Sequence, residues 1–420
     1  MRILMLAHRI PYPPHTGDKT RAFHIARHLA KRHDLTLGFL VDDRADLRGV
    51  APLRETVPAL EFARLWKPWS LAKGLAGLGT GGPLSLPYFR SPGLRRRLRA
   101  RLDDAPYDLV YASSTPMAQY VHGLGIPMVM DFVDVDSDKW RQYAEHSRWP
   151  INRLYRVEGR RLQAAEAEIA RWAEVCLLAT QAEEDLLKSF APWARSAVVS
   201  NGIDLAFYEP VATSPGASAV LFTGAMDYLP NVDAVTYFCL DVLPLVRREV
   251  PETRFYIVGL NPAPDVVRLG AIAGVTVTGT VPDVRPYYAR SSVCVAPLRI
   301  GRGIQNKVLQ GMAMGLPMVV SSLAARGLEA QPGRHLQVAD TPAEFAAHVV
   351  RVLKAPAEGR ALGRSGRAFV EANYGWERSF IRLERILADA VGQGRSNKQR
   401  LPSATPFAPT SPARPGISRS

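Results

Sequence analysis

Short apolar runs recur along this chain, and most are followed by a stretch with helical spacing. Residues 2–7, 35–41, 108–112, 128–132, 175–179 and 197–199 read as strands. Several are almost continuously apolar, which marks strands covered on both faces. Residues 20–33 carry Phe23, Ile25, Ala26 and Leu29 at helical spacing. Such alternation predicts an α/β fold with a doubly wound parallel sheet. Residues 210–218, rich in Pro, Ser, Gly and Ala, read as a linker. The pattern then restarts, with strands expected at 220–223, 254–258, 276–278, 293–296 and 318–320 and a helix over 231–250 bent at Pro244. A chain of 420 residues exceeds what one core usually serves, so two doubly wound domains are expected. Two such domains would leave a cleft bounded by the carboxyl ends of both sheets. Residues 380–391 read as a last amphipathic helix, and 394–420, full of Pro, Ser and Arg, as a disordered basic tail.

Lys and Arg number 53 against 39 Asp and Glu, a net charge of +14. That balance suits an anionic partner: a nucleotide diphosphate, a phospholipid surface or nucleic acid. Nucleic acid is set aside, because no recognised binding module accompanies the charge. No run approaches the ~20 apolar residues of a membrane span. The apolar run 3–7 is too short for a signal-peptide core, so a cytoplasmic enzyme is expected. Cys176, Cys239 and Cys294 are isolated, which predicts buried reduced thiols and neither disulfide nor metal site.

Residues 293–322 carry the most specific chemistry. An apolar strand leads into Gly301-Arg302-Gly303, then an amphipathic helix over about 305–314 with Lys307, then a second strand. Glycines before a helix let a ligand reach free backbone N–H groups, and the helix dipole favours an anion. A plain structural turn is the alternative. Gly17-Asp18-Lys19-Thr20 opens a helix after the first strand, as an anion loop facing the cleft or as a simple helix start. Asp131-Phe132-Val133-Asp134-Val135-Asp136 sets carboxylates at the end of a buried strand. They could bind sugar hydroxyls, or Asp134, Asp136 or Ser137 could cap a helix. Asn201-Gly202-Ile203-Asp204 is a turn signal where a hinge would fall. Residues 95–101 (Arg95, Arg96, Arg97, Arg99 and Arg101) form either a solvated helix face or a contact with anionic lipid.

These residues resemble GT-B glycosyltransferases of family 4. The signature there, a glycine turn, Glu, then Met-Ala-x-Gly-x-Pro-Val-Val, stands here as the run from Gly301 to Val320, with Met312-Ala313-Met314-Gly315-Leu316-Pro317 at its heart. Asn201-Gly202-Ile203-Asp204 is similar to the family's Asn-Gly-Val-Asp, and Val258-Gly259 to its Val-Gly. The likeness is closer to the glycosyltransferases associated with PEP-CTERM/exosortase exopolysaccharide systems, through Pro11-Tyr12-Pro13-Pro14, Gly17-Asp18-Lys19, Asp131 to Ser137, Pro230-Asn231-Val232-Asp233-Ala234 and Gln305 to Leu309. It covers nearly the whole chain up to Val391.

The resemblance implies two Rossmann-like domains: residues 1–205 on the acceptor side and 206–375 binding a nucleotide-sugar, followed by a helix over 376–393. It implies a retaining glycosyltransferase moving a sugar from a nucleotide-diphosphate donor to a glycan or lipid-linked acceptor in exopolysaccharide biosynthesis. No cofactor and no metal are expected. Peripheral membrane contact through 95–101, at the inner face of the cytoplasmic membrane, fits that acceptor. Gly17, Lys19, Gly301, Arg302, Gly303, Ile304 and Lys307 would contact the donor diphosphate. Gln310 would hold the ribose, and Asp134 and Asp136 the sugar or acceptor. Gln310 and Arg302 stand where the family has glutamates, and Thr223-Gly224-Ala225-Met226-Asp227-Tyr228 lacks the family's Arg and Lys. A nucleotide-sugar epimerase or hydrolase of the same fold, or a non-catalytic subunit, are the alternatives.

Overall fold

The computed structural model describes residues 1–14, 16–145, 147–210, 218–301 and 303–397. Arg302, most of the expected linker, and residues 398–420 of the expected tail lie outside the described residues. The chain forms two units, one of residues 1–178, 183–198 and 384 onward, the other of 179–182 and 199–383. The last helix, Trp376–Asn397, thus contributes to both, and it runs past residue 394, where the tail was expected to begin. Gly394 explains part of this: a Cβ there would sit 2.1 Å from Pro127 Cγ, so the helix is pressed onto the first unit at that point.

In the first unit β1 (Arg2–Ala7), β2 (Asp34–Val41), β3 (Ala59–Arg64), β4 (Leu109–Ser113), β5 (Met128–Val133), β6 (Val175–Leu178) and β7 (Ser196–Val198) make one parallel sheet in the order 3-2-1-4-5-6-7. In the second, β8 (Ala219–Thr223), β9 (Arg254–Val258), β10 (Val275–Gly279), β11 (Val293–Ala296), β12 (Met318–Val320) and β13 (Gln337–Val338) follow the order 10-9-8-11-12-13. Both are doubly wound, and the order reverses between β1 and β4 and between β8 and β11. Such switch points leave a crevice at the strands' carboxyl ends. β3 and β13 escaped the sequence reading. β3 (Ala-Leu-Glu-Phe-Ala-Arg) is an edge strand in which Glu61 and Arg64 interrupt the apolar run and only Leu60 is buried, and β13 is two residues long.

Residues 229–249 are helical throughout: Leu229–Tyr237, a π-turn over Phe238–Val242, and Leu243–Glu249. Pro244 lacks the N–H that would bond the Leu240 carbonyl, and the ladder re-registers through the π-turn just before it. This 21-residue helix has a mean hydropathy of 1.3 and is long and apolar enough to cross a membrane. The expectation that no segment comes near a span is corrected to that extent. Yet 56% of that window is buried, with Ala234, Val235, Phe238, Val242 and Val246 inside the second unit's core. The three cysteines are buried and unpaired. Burial pushes the Cys176 and Cys239 thiols up to about 12.

In the first unit a buried ionic cluster ties three elements. Arg21, on the helix Gly17–Arg32, donates through Nε to Asp131 Oδ2 at 2.8 Å and through Nη2 to Oδ1 at 3.0 Å. Tyr111 of β4 donates to Oδ2 at 2.5 Å. Arg21 is 1% exposed and Asp131 0%. Burial alone would lower the Arg21 pKa, but the Asp131 charge more than offsets it and holds the guanidinium ionised. Removing one partner of such a pair leaves an uncompensated buried charge. Asp131→Ala should therefore cost about 3–5 kcal/mol in urea unfolding. Asp233→Ala, against the half-exposed Arg299, should cost under ~1 kcal/mol. Equal costs would mean that burial does not set the worth of these pairs.

Candidate functional site

The second unit gathers one group of candidate residues at its switch point. β11 ends at Ala296, and the segment 297–305 leads into the helix Asn306–Ala313. Gly301 and Gly303 have φ of 151° and 62°, the region that favours glycine. Just ahead of them Arg299 grips Asp233 with both carboxylate oxygens, at 2.6 and 3.0 Å, and stacks over Tyr237. This fixes the approach to the turn. Ile304 is buried. Gln305, as N-cap, makes no side-chain cap bond, so the first N–H groups of the helix are not closed by it.

Lys307 sits in that uncapped first turn, where the helix dipole disfavours a cation. Its Nζ lies 5.4 Å from the centre of the Phe222 ring, with no carboxylate in ion-pair range among the described residues. Burial draws its pKa down from 10.5 to about 8. An amine in a desolvated, unpaired position gains most from an incoming anion.

One turn on, Gln310 joins a buried polar chain. Its Oε1 accepts from the Tyr288 hydroxyl at 3.4 Å, and that hydroxyl is 2.9 Å from Thr223 Oγ1 at the end of β8. Burial raises the Tyr208 phenol above its usual range, while a hydrogen bond with the Gln310 side chain works against that shift. An amide can accept from one phenol and donate to another; a carboxylate cannot donate. The neutral residue at 310 thus has a structural reason that the sequence did not reveal.

The loops after β8 and β9 touch here. A Cβ on Gly259 would stand 1.6 Å from the Gly224 carbonyl oxygen, so only glycine fits. Asn231 donates to the Ala225 carbonyl at 2.8 Å and holds the first loop in place. Asn201–Asp204 is also pinned within this unit. Ile203 N–H donates to Tyr374 O at 2.8 Å, and a Cβ on Gly202 would lie 2.6 Å from the Trp376 ring.

The first unit holds Gly17, Lys19, Asp134 and Asp136. Gly17 is exposed at the start of its helix. Lys19 gives its charge to Asp46 at 2.8 Å, in contrast to Lys307. Asp18 lies 3.3 Å from His8; burial would raise its pKa, but His8 and Thr16 pull it well below the carboxylate range. Val133 has φ of 68°, an outlier for a β-branched residue, and Asp134 N–H closes the turn onto Phe132 O at 2.9 Å. Such strain persists only where surroundings enforce it. Here Glu183 accepts the Val135 N–H at 2.8 Å and Glu166 the Ser137 N–H at 3.1 Å. Asp136 begins the helix Asp136–Glu145.

Glu166 and Glu183 were missed by the sequence reading. Burial first, then the Asp136 charge for one and the Asp134 charge for the other, push both up to about 8. A signal existed: Glu158, Leu162, Glu166 and Ile169 share one face of the helix Ile151–Trp172, and all are buried. Glu158 accepts the N–H groups of Leu84 and Ser85 at 2.6 and 3.1 Å. Of the basic run, Arg96, Arg97 and Arg99 are exposed, Arg101 pairs with Glu61 at 2.7 Å, and Arg95 donates to the Gln119 carbonyl at 3.2 Å. No group of three or more potential metal ligands occurs among the described residues.

The folded state holds the Glu166 and Glu183 protons more tightly than the unfolded chain does. Ionisation therefore costs stability as pH rises from about 4.5 to about 8. In thermal melts, Glu166→Gln and Glu183→Gln should gain on the wild type across that window and match it below. A constant gap at all pH values would count against these protonation states.

The family described as glycosyl transferases group 1 matches residues 217–355, within the second unit. A curated protein of Klebsiella pneumoniae, described as an uncharacterized 44.6 kDa protein in the cps region, is 22% identical over 38% of this chain and 44% of its own length. The match thus spans less than half of that relative. Among solved structures, sucrose-phosphate synthase from Thermosynechococcus elongatus superposes with a TM-score of 0.68 and 17% identity, covering 95% of this chain and 99% of the other. Anabaena HepE in complex with UDP and glucose gives 0.63 and 14%, covering 96% and 100%. Residues 217–355 thus match the glycosyl transferases group 1 family, in a chain with the GT-B fold.

Proposed function

We propose that this chain is a retaining glycosyltransferase whose second unit binds a nucleotide-diphosphate sugar. Lys307 carries the reading: a desolvated amine with no carboxylate in ion-pair range among the described residues, in a helix turn that its N-cap side chain does not close, behind a glycine turn. A diphosphate would supply the counter-charge that this turn lacks, and the charge that grows on the leaving group would be met by the same ammonium. Gly301, Gly303 and Ile304 would bring backbone N–H groups to the phosphates. Gln310, steadied by Tyr288, would meet the ribose. In the first unit Asp134 and Asp136, on the loop held by Glu166 and Glu183, would contact sugar or acceptor hydroxyls. The UDP bound to the structurally similar HepE makes UDP the first nucleotide to test. The cps region of the Klebsiella relative supports a capsule or exopolysaccharide acceptor, either a glycan or a lipid-linked glycan. Membership of family 4 and of its exosortase-associated branch belongs to this same reading.

Calorimetry with UDP, GDP and ADP tests it. One nucleotide should bind, and Lys307→Ala should weaken that binding by roughly 1.5–3 kcal/mol, about ten- to a hundred-fold. The affinity should also fall as pH rises through about 8, where the free Lys307 loses its proton, and the Ala variant should lose that dependence. Normal binding and turnover in Lys307→Ala would sink the phosphate assignment.

A further inference from the structure

Beyond the donor site, one surface of the first unit sets exposed apolar side chains among arginines. The helices Asp136–Glu145 and Ile151–Trp172 form a hairpin. They meet closely at its base, where a Cβ on Gly159 would stand 2.9 Å from the Ser137 carbonyl oxygen. Trp140, Tyr143 and Tyr155 brace the space above, with ring centres 5.2 to 6.1 Å apart. At the far end Trp149 is 73% exposed and Ile151 51%. Pro150 between them is exposed as well.

Basic residues surround these apolar groups. From Arg148 to Arg161 the sequence holds five arginines and one acid, Glu158, which is buried against backbone N–H groups. Arg148, Arg153, Arg156 and Arg160 are exposed, and none of their side chains makes an ion pair or hydrogen bond among the described residues. At helical spacing, Arg153, Arg156 and Arg160 fall on one stripe. The only opposing exposed charge on the paired helix's last turn is Glu145. Indole and aliphatic side chains at the end of a helix hairpin, flanked by unpaired arginines, match the boundary of an anionic bilayer. There the indole sits at headgroup depth and the guanidinium groups meet lipid phosphates.

We propose that the hairpin end, Trp149 and Ile151 with Arg148, Arg153 and Arg156, docks the protein on an anionic lipid surface. The arginine run at 95–101 is a poorer anchor. Its apolar neighbours Leu94 and Leu98 are buried, and Arg101 is already paired with Glu61. The inference does not depend on the donor reading, because nucleotide binding is measured separately and without lipid.

Sedimentation of the full chain with vesicles tests it. The protein should pellet with phosphatidylcholine vesicles containing phosphatidylglycerol and stay in solution with phosphatidylcholine alone. Trp149→Ser with Ile151→Ser, both at exposed positions, should keep the circular dichroism spectrum and lower the bound-to-free ratio at least about tenfold. Arg153→Gln with Arg156→Gln should lower it about fivefold per arginine at low salt. Trp149→Phe with Ile151→Leu should retain binding. The proposal is overturned if the wild type shows no preference for the anionic vesicles, or if the Ser pair binds as the wild type does. It is also overturned if Arg96→Gln, Arg97→Gln and Arg99→Gln together abolish binding that the Ser pair leaves intact. A concentration-dependent dimer that the Ser pair dissolves, without vesicle binding, would make this end a self-association surface instead.

Discussion

The first unit is organised around the bond between Arg21 and Asp131. Asp131 stands near the end of β5, Tyr111 beside it on β4, and Arg21 one turn into the helix that follows β1. One fully buried carboxylate therefore sets the distance between the helix that begins at Gly17 and the loop that carries Asp134 and Asp136. Two charges hidden from water are expensive unless their geometry is nearly ideal, and here every oxygen of Asp131 has a donor. The loop beyond it is held by a different device. Carboxyls from Glu166 and Glu183 take backbone N–H groups directly, and Val133 is kept in a conformation it would not choose.

The second unit relies on close backbone approach more than on charge. Gly259 against Gly224 and Gly202 against Trp376 leave no room for a methyl group. They bring strand ends and loops near enough for Gln310, Tyr288 and Thr223 to form one polar chain. Among the described residues Lys307 has no carboxylate partner, and that gives the site its chemical character.

The parallel sheets were legible because buried strands such as β1, β4 and β11 are apolar over most or all of their length. β3 was not, since an edge strand exposes half its side chains and Glu61 and Arg64 read as loop. The glycine turn and Lys307 could be found because their chemistry is local in sequence. Arg21 and Glu183 could not, because periodicity counts a charged residue as surface and each has its partner on another element, whereas Glu166 left a trace in the buried face it shares with Leu162 and Ile169. Lys19 has a partner of the same hidden kind, since Asp46 lies 27 positions further along the chain. The amide of Gln310 looked like a weakened glutamate until its two phenol neighbours gave it a reason.

The lowered pKa of Lys307 also changes how much of it is free base. At neutral pH an amine with a pKa of about 8 is roughly one-tenth free base, against about one part in several thousand for an ordinary lysine. Acylating reagents and aldehydes attack only that free base. The residue that would hold the donor's phosphates would thus also carry a larger free-base fraction at neutral pH than a solvated lysine does.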